Sequence, residues 1–269
     1  CFSAWCLSRG RPRARVGSTA ICSRPRPSPS SPATGFSPRH GDATKQGVNW
    51  NALELSLALA FATGAVLIPL ALIAARALAW GDFRGKTAVE AAIALPLVLP
   101  PTVLGYYLLV AMAGAAPLGQ AYHLLTGRAL VFSFDGLLLA SIIVNLPFAV
   151  QPMQRAFEAI PQAVREAAWC SGLSPWRTFW RIELPLAWPG IVSALALTLA
   201  HTMGEFGVVL MVGGSIPGET LTMSIAIYDR VQALDSAGAG VMSAILLAVS
   251  FATIALVYAL TGRRVRRHG

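Results

Sequence analysis

The stretch EAAWCSGLSPWRTFWRIELPLAWPG, residues 166–190, sets two arginines, two glutamates and four tryptophans between long runs of alanine, leucine and valine. Its local chemistry predicts two short helices. Pro161 suits a first helical turn, where its missing N–H costs nothing. Gly172 permits a positive-φ turn within GLSP, and Ser174 ahead of Pro175 is a good N-cap for the second helix. That second helix, PWRTFWRIEL, carries Trp176, Phe179 and Trp180 on one face at i, i+3, i+4 spacing. A helix this short cannot bury three large rings against a few loop residues. The face calls for a partner, either the membrane interface or another protein.

The surroundings decide the class. Only 12% of the 269 residues are charged and 55% are hydrophobic, whereas about a quarter of a soluble domain is charged. Runs of roughly 20 apolar residues suffice to cross a bilayer core of ~30 Å. Such runs occupy about 52–75, 88–112, 136–157, 187–213 and 239–260, which predicts an all-α polytopic membrane protein of about five transmembrane helices. Arg76, Arg84, Lys86, Arg155, Arg165, Arg177, Arg181, Arg263, Arg264, Arg266 and Arg267 fall on one side, and only Arg128 and Arg230 on the other. By the positive-inside rule the insert and the C-terminus are cytoplasmic and the N-terminus is outside. GQAYHLLTGR, within 113–135, is too polar for a sixth span. Residues 218–240, GETLTMSIAIYDRVQALDSAGAG, are expected to form a short amphipathic helix and a turn at the outer surface.

The net charge of +9 is concentrated in the first 50 residues, which hold eight basic groups against Asp42. This excess does not point to nucleic acid as a partner of the working domain. Residues 1–47 are Pro/Ser/Arg-rich without apolar period and read as a disordered basic tail. Val48 is expected to begin the natural protein, so that the tail is not natively translated; a genuine basic tail is the alternative. Three of the four cysteines lie there, and no C-x-x-C occurs.

The insert has a specific spacing. Glu166-Ala167-Ala168, three residues, Gly172, nine residues, Ile182, one residue, Leu184-Pro185 meets every fixed position of E-A-A-x3-G-x9-I-x-L-P. It resembles the EAA loop of binding-protein-dependent ABC importer permeases. The resemblance implies a type I importer-like fold in which residues 161–185 form coupling helices seated in a groove of a separate ATP-hydrolysing subunit. It implies ATPase-coupling roles for Glu166, Ala167, Ala168, Gly172, Ile182, Leu184 and Pro185. The small residues would allow close approach, and Glu166 could cap or pair across the joint. A tryptophan belt at the lipid surface explains the aromatic residues but not the spacing.

ALPLVLPPTVLGYYLL (94–109), HTMGEFGVVLMVGGSIPGETLTMSIAIYD (201–229) and FRGK (83–86) are similar to the molybdate permease subfamily, a likeness running from about residue 49 to the C-terminus. Sulfate and thiosulfate permeases share the GEFG-like element, and IPGET followed by SIAIYD favours molybdate. Tungstate is not separable. The resemblance implies a homodimeric, lipid-embedded permease of the bacterial inner membrane. Its expected partners are an ABC ATPase dimer and a periplasmic molybdate-binding protein. This chain is then no enzyme and binds no cofactor or metal, the ATP being used by the ATPase. GDFRGKT at 81–87 is not a P-loop, since Gly81 and Gly85 have three residues between them rather than four.

A translocation path or gate is expected around Pro100, Pro101, Thr102, Gly204, Glu205 and Gly207. The prolines break the second span near mid-membrane and free backbone dipoles. Glu205 is the acid deep in an apolar run, a functional candidate by default, and its charge suits a gate or helix tether better than an oxyanion ligand. A buried structural glutamate is the alternative, with His201 as a potential partner. Asn145 is expected to hydrogen-bond between helices. A gradient-driven carrier would call for buried charge pairs or an internal repeat, and the predicted spans supply neither; a membrane enzyme would need clustered catalytic groups.

Overall fold

Apolar runs punctuated by proline and glycine give an all-helical chain. The computed structural model describes the backbone of residues 48–265 and the side chains of residues 48–259, all within the unit Ala43–Gly269. The predicted tail 1–47, Arg266 and Arg267, and the side chains of Arg263 and Arg264, lie outside the described residues. In chain order the elements are α1 (Trp50–Trp80), α2 (Lys86–Val98), α3 (Pro101–Met112), α4 (Pro117–Thr126), α5 (Phe134–Glu158), α6 (Gln162–Cys170) and α7 (Pro175–Thr178). A π-helical turn (Phe179–Glu183) comes next, then α8 (Leu184–Gly204), α9 (Gly207–Gly213), α10 (Met223–Gln232) and α11 (Ser236–Val265).

Among the described residues, four helical stretches are long and apolar enough to span a membrane: Trp50–Trp80, Phe134–Glu158, Pro175–Gly204 and the Ser236–Ala259 part of α11. A fifth span is broken. Helices α2 and α3 meet at a 113° bend, because Pro100 and Pro101 cannot continue the hydrogen-bond ladder. The core contacts show that this bent pair runs from one end of the bundle to the other. Leu59 of α1 shares a cluster with Leu137 of α5, and Leu78 shares one with Phe157, so α1 and α5 run in the same direction. The chain between them must therefore return. Accordingly, Gln154 near the end of α5 donates to Glu90 of α2, while Met112 of α3 packs with Leu130 and Ala140 near the start of α5.

Helix α8 is antiparallel to α1: Ala187 lies with Leu78 and Phe157, and Met203 with Ala60. Helix α11 runs parallel to α1, Met242 sitting with Ala52 and Leu53. The α2 approach, the insert and the C-terminal end of α11 thus share one end of the bundle.

Several boundaries differ from expectation. The expected span 187–213 is two helices: one begins at Pro175 and ends at Gly204, and α9 is a separate short helix after it. Helix α1 continues to Trp80, so Arg76 is a helical residue and not a loop charge. Helix α4 has ten residues, too short to span. Helix α10 and the turn after it match the amphipathic segment expected there.

Candidate functional site

At the insert end, helix α6 starts after Pro161, which serves as N-cap and does not enter the first turn. It closes with Ser171 N–H bonded to the Ala167 carbonyl (3.0 Å) and Leu173 N–H to the Ala168 carbonyl (3.1 Å). Gly172 has φ +80°, the left-handed value that favours glycine at a helix end. The Ser174 hydroxyl caps α7 by accepting from Arg177 N–H, as its position predicted. The second helix does not stop where expected. It passes through the π turn straight into α8, so Pro175–Gly204 is one continuous 30-residue stretch.

The EAA residues divide between two faces. Ala168 is buried, and Ile182 and Leu184 are half-buried, Leu184 against the core. Glu166, Ala167, Gly172 and Pro185 face outward, with open space around Gly172. Glu166 accepts from Gln162 Nε2 at 2.7 Å within its own helix and remains exposed. Of the three rings, Phe179 is buried and Trp176 and Trp180 remain 67% and 50% exposed. Their ring centroids lie 5.2–5.8 Å apart, Trp176 stacked on Phe179 and Trp180 edge-on to both. An exposed, preformed aromatic cluster beside small residues is the anatomy of a protein-docking surface. Cys170 is an exposed free thiol.

Beneath this surface lies a group that composition and spacing did not reveal. Glu183, the open position in I-x-L-P, has no exposed surface. It accepts from Arg76 Nε at 2.7 Å and from Arg165 Nε at 3.1 Å. Arg165 also lies over the Trp80 ring at 3.9 Å, and Arg76 over Phe179 at 5.3 Å. Glu205 is buried as well, and Glu183 is the more completely buried of the two. The available signal was its i+4 spacing from Phe179 and i−4 spacing from Ala187, both core residues, which places an acid on an apolar helix face.

At the other end of α8, the expected path residues come together in part. The bent pair and the α8–α9 break are neighbours: a Cβ on Gly207 would lie 2.7 Å from Pro101 Cβ. Pro100, Pro101, Thr102 and Gly204 are exposed. Glu205 is no longer in the α8 helix; it sits at the break, where its Oε1 accepts from Val208 N–H at 3.0 Å and caps α9. Its carbonyl accepts from the Ser224 hydroxyl of α10 at 2.8 Å. His201 Nε2 approaches Glu205 Oε2 at 3.7 Å, with the imidazole stacked on Phe148 at 4.1 Å. Asn145 donates to Thr202 Oγ1 at 3.0 Å, bridging α5 and α8 as expected. Outside the spans, Asp235 accepts from Gly238 N–H at 2.9 Å and pairs with Arg230, and both contacts hold its carboxyl below the ordinary value. No group of three or more metal-ligating side chains occurs among the described residues.

The comparisons agree with this geometry. Residues 46–267 match the family model of the binding-protein-dependent transport system inner membrane component. The molybdenum transport system permease protein ModB of Azotobacter vinelandii is 45% identical over 77% of this chain and 92% of its own length. A probable sulfate transport system permease protein cysT of Chlorella vulgaris is 33% identical over 66% of this chain and 66% of its own length. Among solved structures, a bacterial alginate ABC transporter in complex with an alginate pentasaccharide-bound periplasmic protein matches with TM-score 0.67 at 18% identity, covering 84% of this chain and 82% of that one. That likeness shows the fold. The chain is thus a non-catalytic, multi-pass inner-membrane component of a transport system that depends on a binding protein, and no cofactor is expected of it. It belongs to the family of binding-protein-dependent transport system inner membrane components.

Proposed function

We propose that this chain is the transmembrane permease of an ATP-driven importer that carries molybdate across the bacterial inner membrane. The observation that carries the substrate is the 45% identity to a molybdenum permease over nearly the whole of that protein. Two copies pair, since five crossings enclose little on their own and α2 has no buried residue. The insert end and the C-terminus face the cytoplasm, where most of the basic residues lie. There Glu166, Ala167, Gly172, Pro185, Trp176 and Trp180 meet an ABC ATPase dimer, while Ala168, Ile182 and Leu184 hold the segment to the spans. At the far end, the α9–α10 segment receives a molybdate-loaded binding protein.

The path runs by the α2–α3 bend and the α8–α9 break. Pro100, Pro101 and Thr102 offer backbone dipoles and a hydroxyl, and Gly204 and Gly207 leave room for movement. Glu205 acts as the tether of that gate, not as an anion ligand.

A sulfate or thiosulfate permease is the second reading, favoured by the 33% identity to a sulfate permease. Labelled molybdate uptake decides between them, in cells lacking their own transporter and expressing this chain with its ATPase and binding protein. Uptake that survives excess sulfate and falls with tungstate supports molybdate, with tungstate as a shared substrate. Uptake suppressed by sulfate moves the chain to the sulfate branch, and no uptake in a complex that hydrolyses ATP removes the substrate assignment.

A further inference from the structure

Among the described residues, α7 is the one element against which α6 packs closely. Its side-chain bridge to the spans is Arg165, which reaches Glu183 at the start of α8 and Trp80 at the end of α1. Arg76 of α1 closes the same carboxylate from the other side. One buried carboxylate therefore joins three elements: the coupling segment, the first span and the fourth. Phe179, Glu183 and Ala187 are spaced four residues apart along one continuous helical stretch, so all three lie on its inward face.

A well-packed apolar residue would stabilise such an interface at least as well as a buried ion pair. Glu183 stands out because the core cluster around Phe179 and Ala187 is otherwise apolar. What a charged joint adds is directionality: the two guanidiniums fix the angle between α6, α1 and α8, where a greasy contact would slip.

We propose that Glu183, held between Arg76 and Arg165, is the positioning residue that transmits movement of the coupling segment to the transmembrane helices. Glu183 touches neither transported anion nor ATPase. It acts through Arg165 on α6 and through the π turn on α8. This inference rests on the importer reading above.

The test uses the complete complex of this chain, its ATPase and its binding protein in proteoliposomes, with molybdate as probe. Three quantities are read: ATPase retained on purification, ATP hydrolysis, and molybdate taken up per ATP. In a background with native cysteines replaced by serine, a spin label at the 89%-exposed Leu234 reads the ATP-driven change in distance between the two copies without reference to substrate. Glu183→Gln keeps the shape and is expected to retain the ATPase and hydrolyse ATP within about threefold of wild type. Uptake per ATP falls at least about tenfold, a typical coupling free energy, and the ATP-driven distance change is lost. Arg76→Gln leaves the Glu183–Arg165 pair intact and is expected to lose about threefold in the same ratio, with Arg76→Lys restoring most of it.

Wild-type uptake per ATP in Glu183→Gln overturns the inference. So do hydrolysis and uptake falling in equal proportion, which marks a purely structural role. If Glu183→Gln does not assemble, Arg76→Gln decides alone, and a wild-type ratio there overturns the inference. A wild-type complex that shows neither uptake nor distance change overturns the importer reading itself, and the inference with it.

Discussion

The 30-residue helix from Pro175 to Gly204 has a buried glutamate near each end, and the two are built in opposite ways. Glu183 is bound by side chains from distant parts of the chain, Arg76 lying 107 residues away in sequence. Glu205 bonds mostly to residues on its C-terminal side: its carboxylate to Val208 N–H and its carbonyl to Ser224. Around Glu183 stand tryptophan and phenylalanine rings and a π turn; around Glu205 stand Gly204 and Gly207, and the helix ends. Charge pairs between elements fix an angle, whereas a cap at a glycine-flanked break holds a chain together while leaving it free to bend. One end reads as a locked joint and the other as a hinge.

The strongest way to break this contrast is to remove the locked end. Glu183→Ala strands two guanidiniums and is expected to cost about 3 kcal/mol, the lower end for a broken buried pair because Arg76 is partly exposed and can rehydrate. Thermal unfolding of the purified chain in detergent measures it, and a loss below about 1 kcal/mol would remove the distinction between the ends. On the outward side of the same segment, Trp176→Ala should leave that unfolding unchanged. It should weaken ATPase binding by about 2 kcal/mol, roughly thirtyfold, as read by titrating the ATPase onto immobilised permease. Loss of stability would place Trp176 with the core instead.

At the hinge, Gly207→Ala drives a methyl against Pro101 Cβ and is expected to cost about 1–2 kcal/mol, with transport reduced more than stability. Uptake at the wild-type level would show that the α3–α9 contact plays no part in the path. Glu205→Gln keeps an oxygen for Val208 N–H, so its effect on unfolding should stay under about 1 kcal/mol, well short of Glu183→Ala; equal losses would erase the asymmetry.

The smallest effect belongs to a third carboxylate, Asp235, at the exposed turn before α11. Its folded-state pKa lies below 3.8 because Gly238 N–H and Arg230 favour the charged form. Such a group contributes stability above its unfolded pKa, and the contribution disappears as pH falls through the folded value. Asp235→Asn should therefore flatten the pH dependence of unfolding below about pH 4 and leave it unchanged near neutrality. An unaltered acid profile would show that the turn makes no contribution.

The features legible in the sequence are those whose cause is local. The EAA spacing, the turn at Gly172, the Ser174 cap, the break at Pro100-Pro101 and the amphipathic α10 each arise from residues close together in the chain. The misses share the opposite property. Arg76 counted as a loop charge because hydropathy falls before the helix ends, and only its partner in the insert explains why α1 continues to Trp80. Glu183 sat in the variable slot of a motif otherwise met in full, and its burial depends on two arginines, Arg76 and Arg165, that only the fold brings to it. Apolar content hid the break at Glu205-Phe206, since the run on both sides is uniformly greasy; there the glycines on either side were the only local trace.

The continuity of the insert with the fourth span gives the molecule a lever. From Leu184 to Gly204 the 21 residues of α8 extend about 30 Å at 1.5 Å each. If that rod swings together with the coupling segment to which it is locked, a tilt of about 10° sweeps the glycine-flanked end through about 5 Å. A small displacement of a short surface helix is thereby magnified into one comparable with the diameter of a tetrahedral oxyanion.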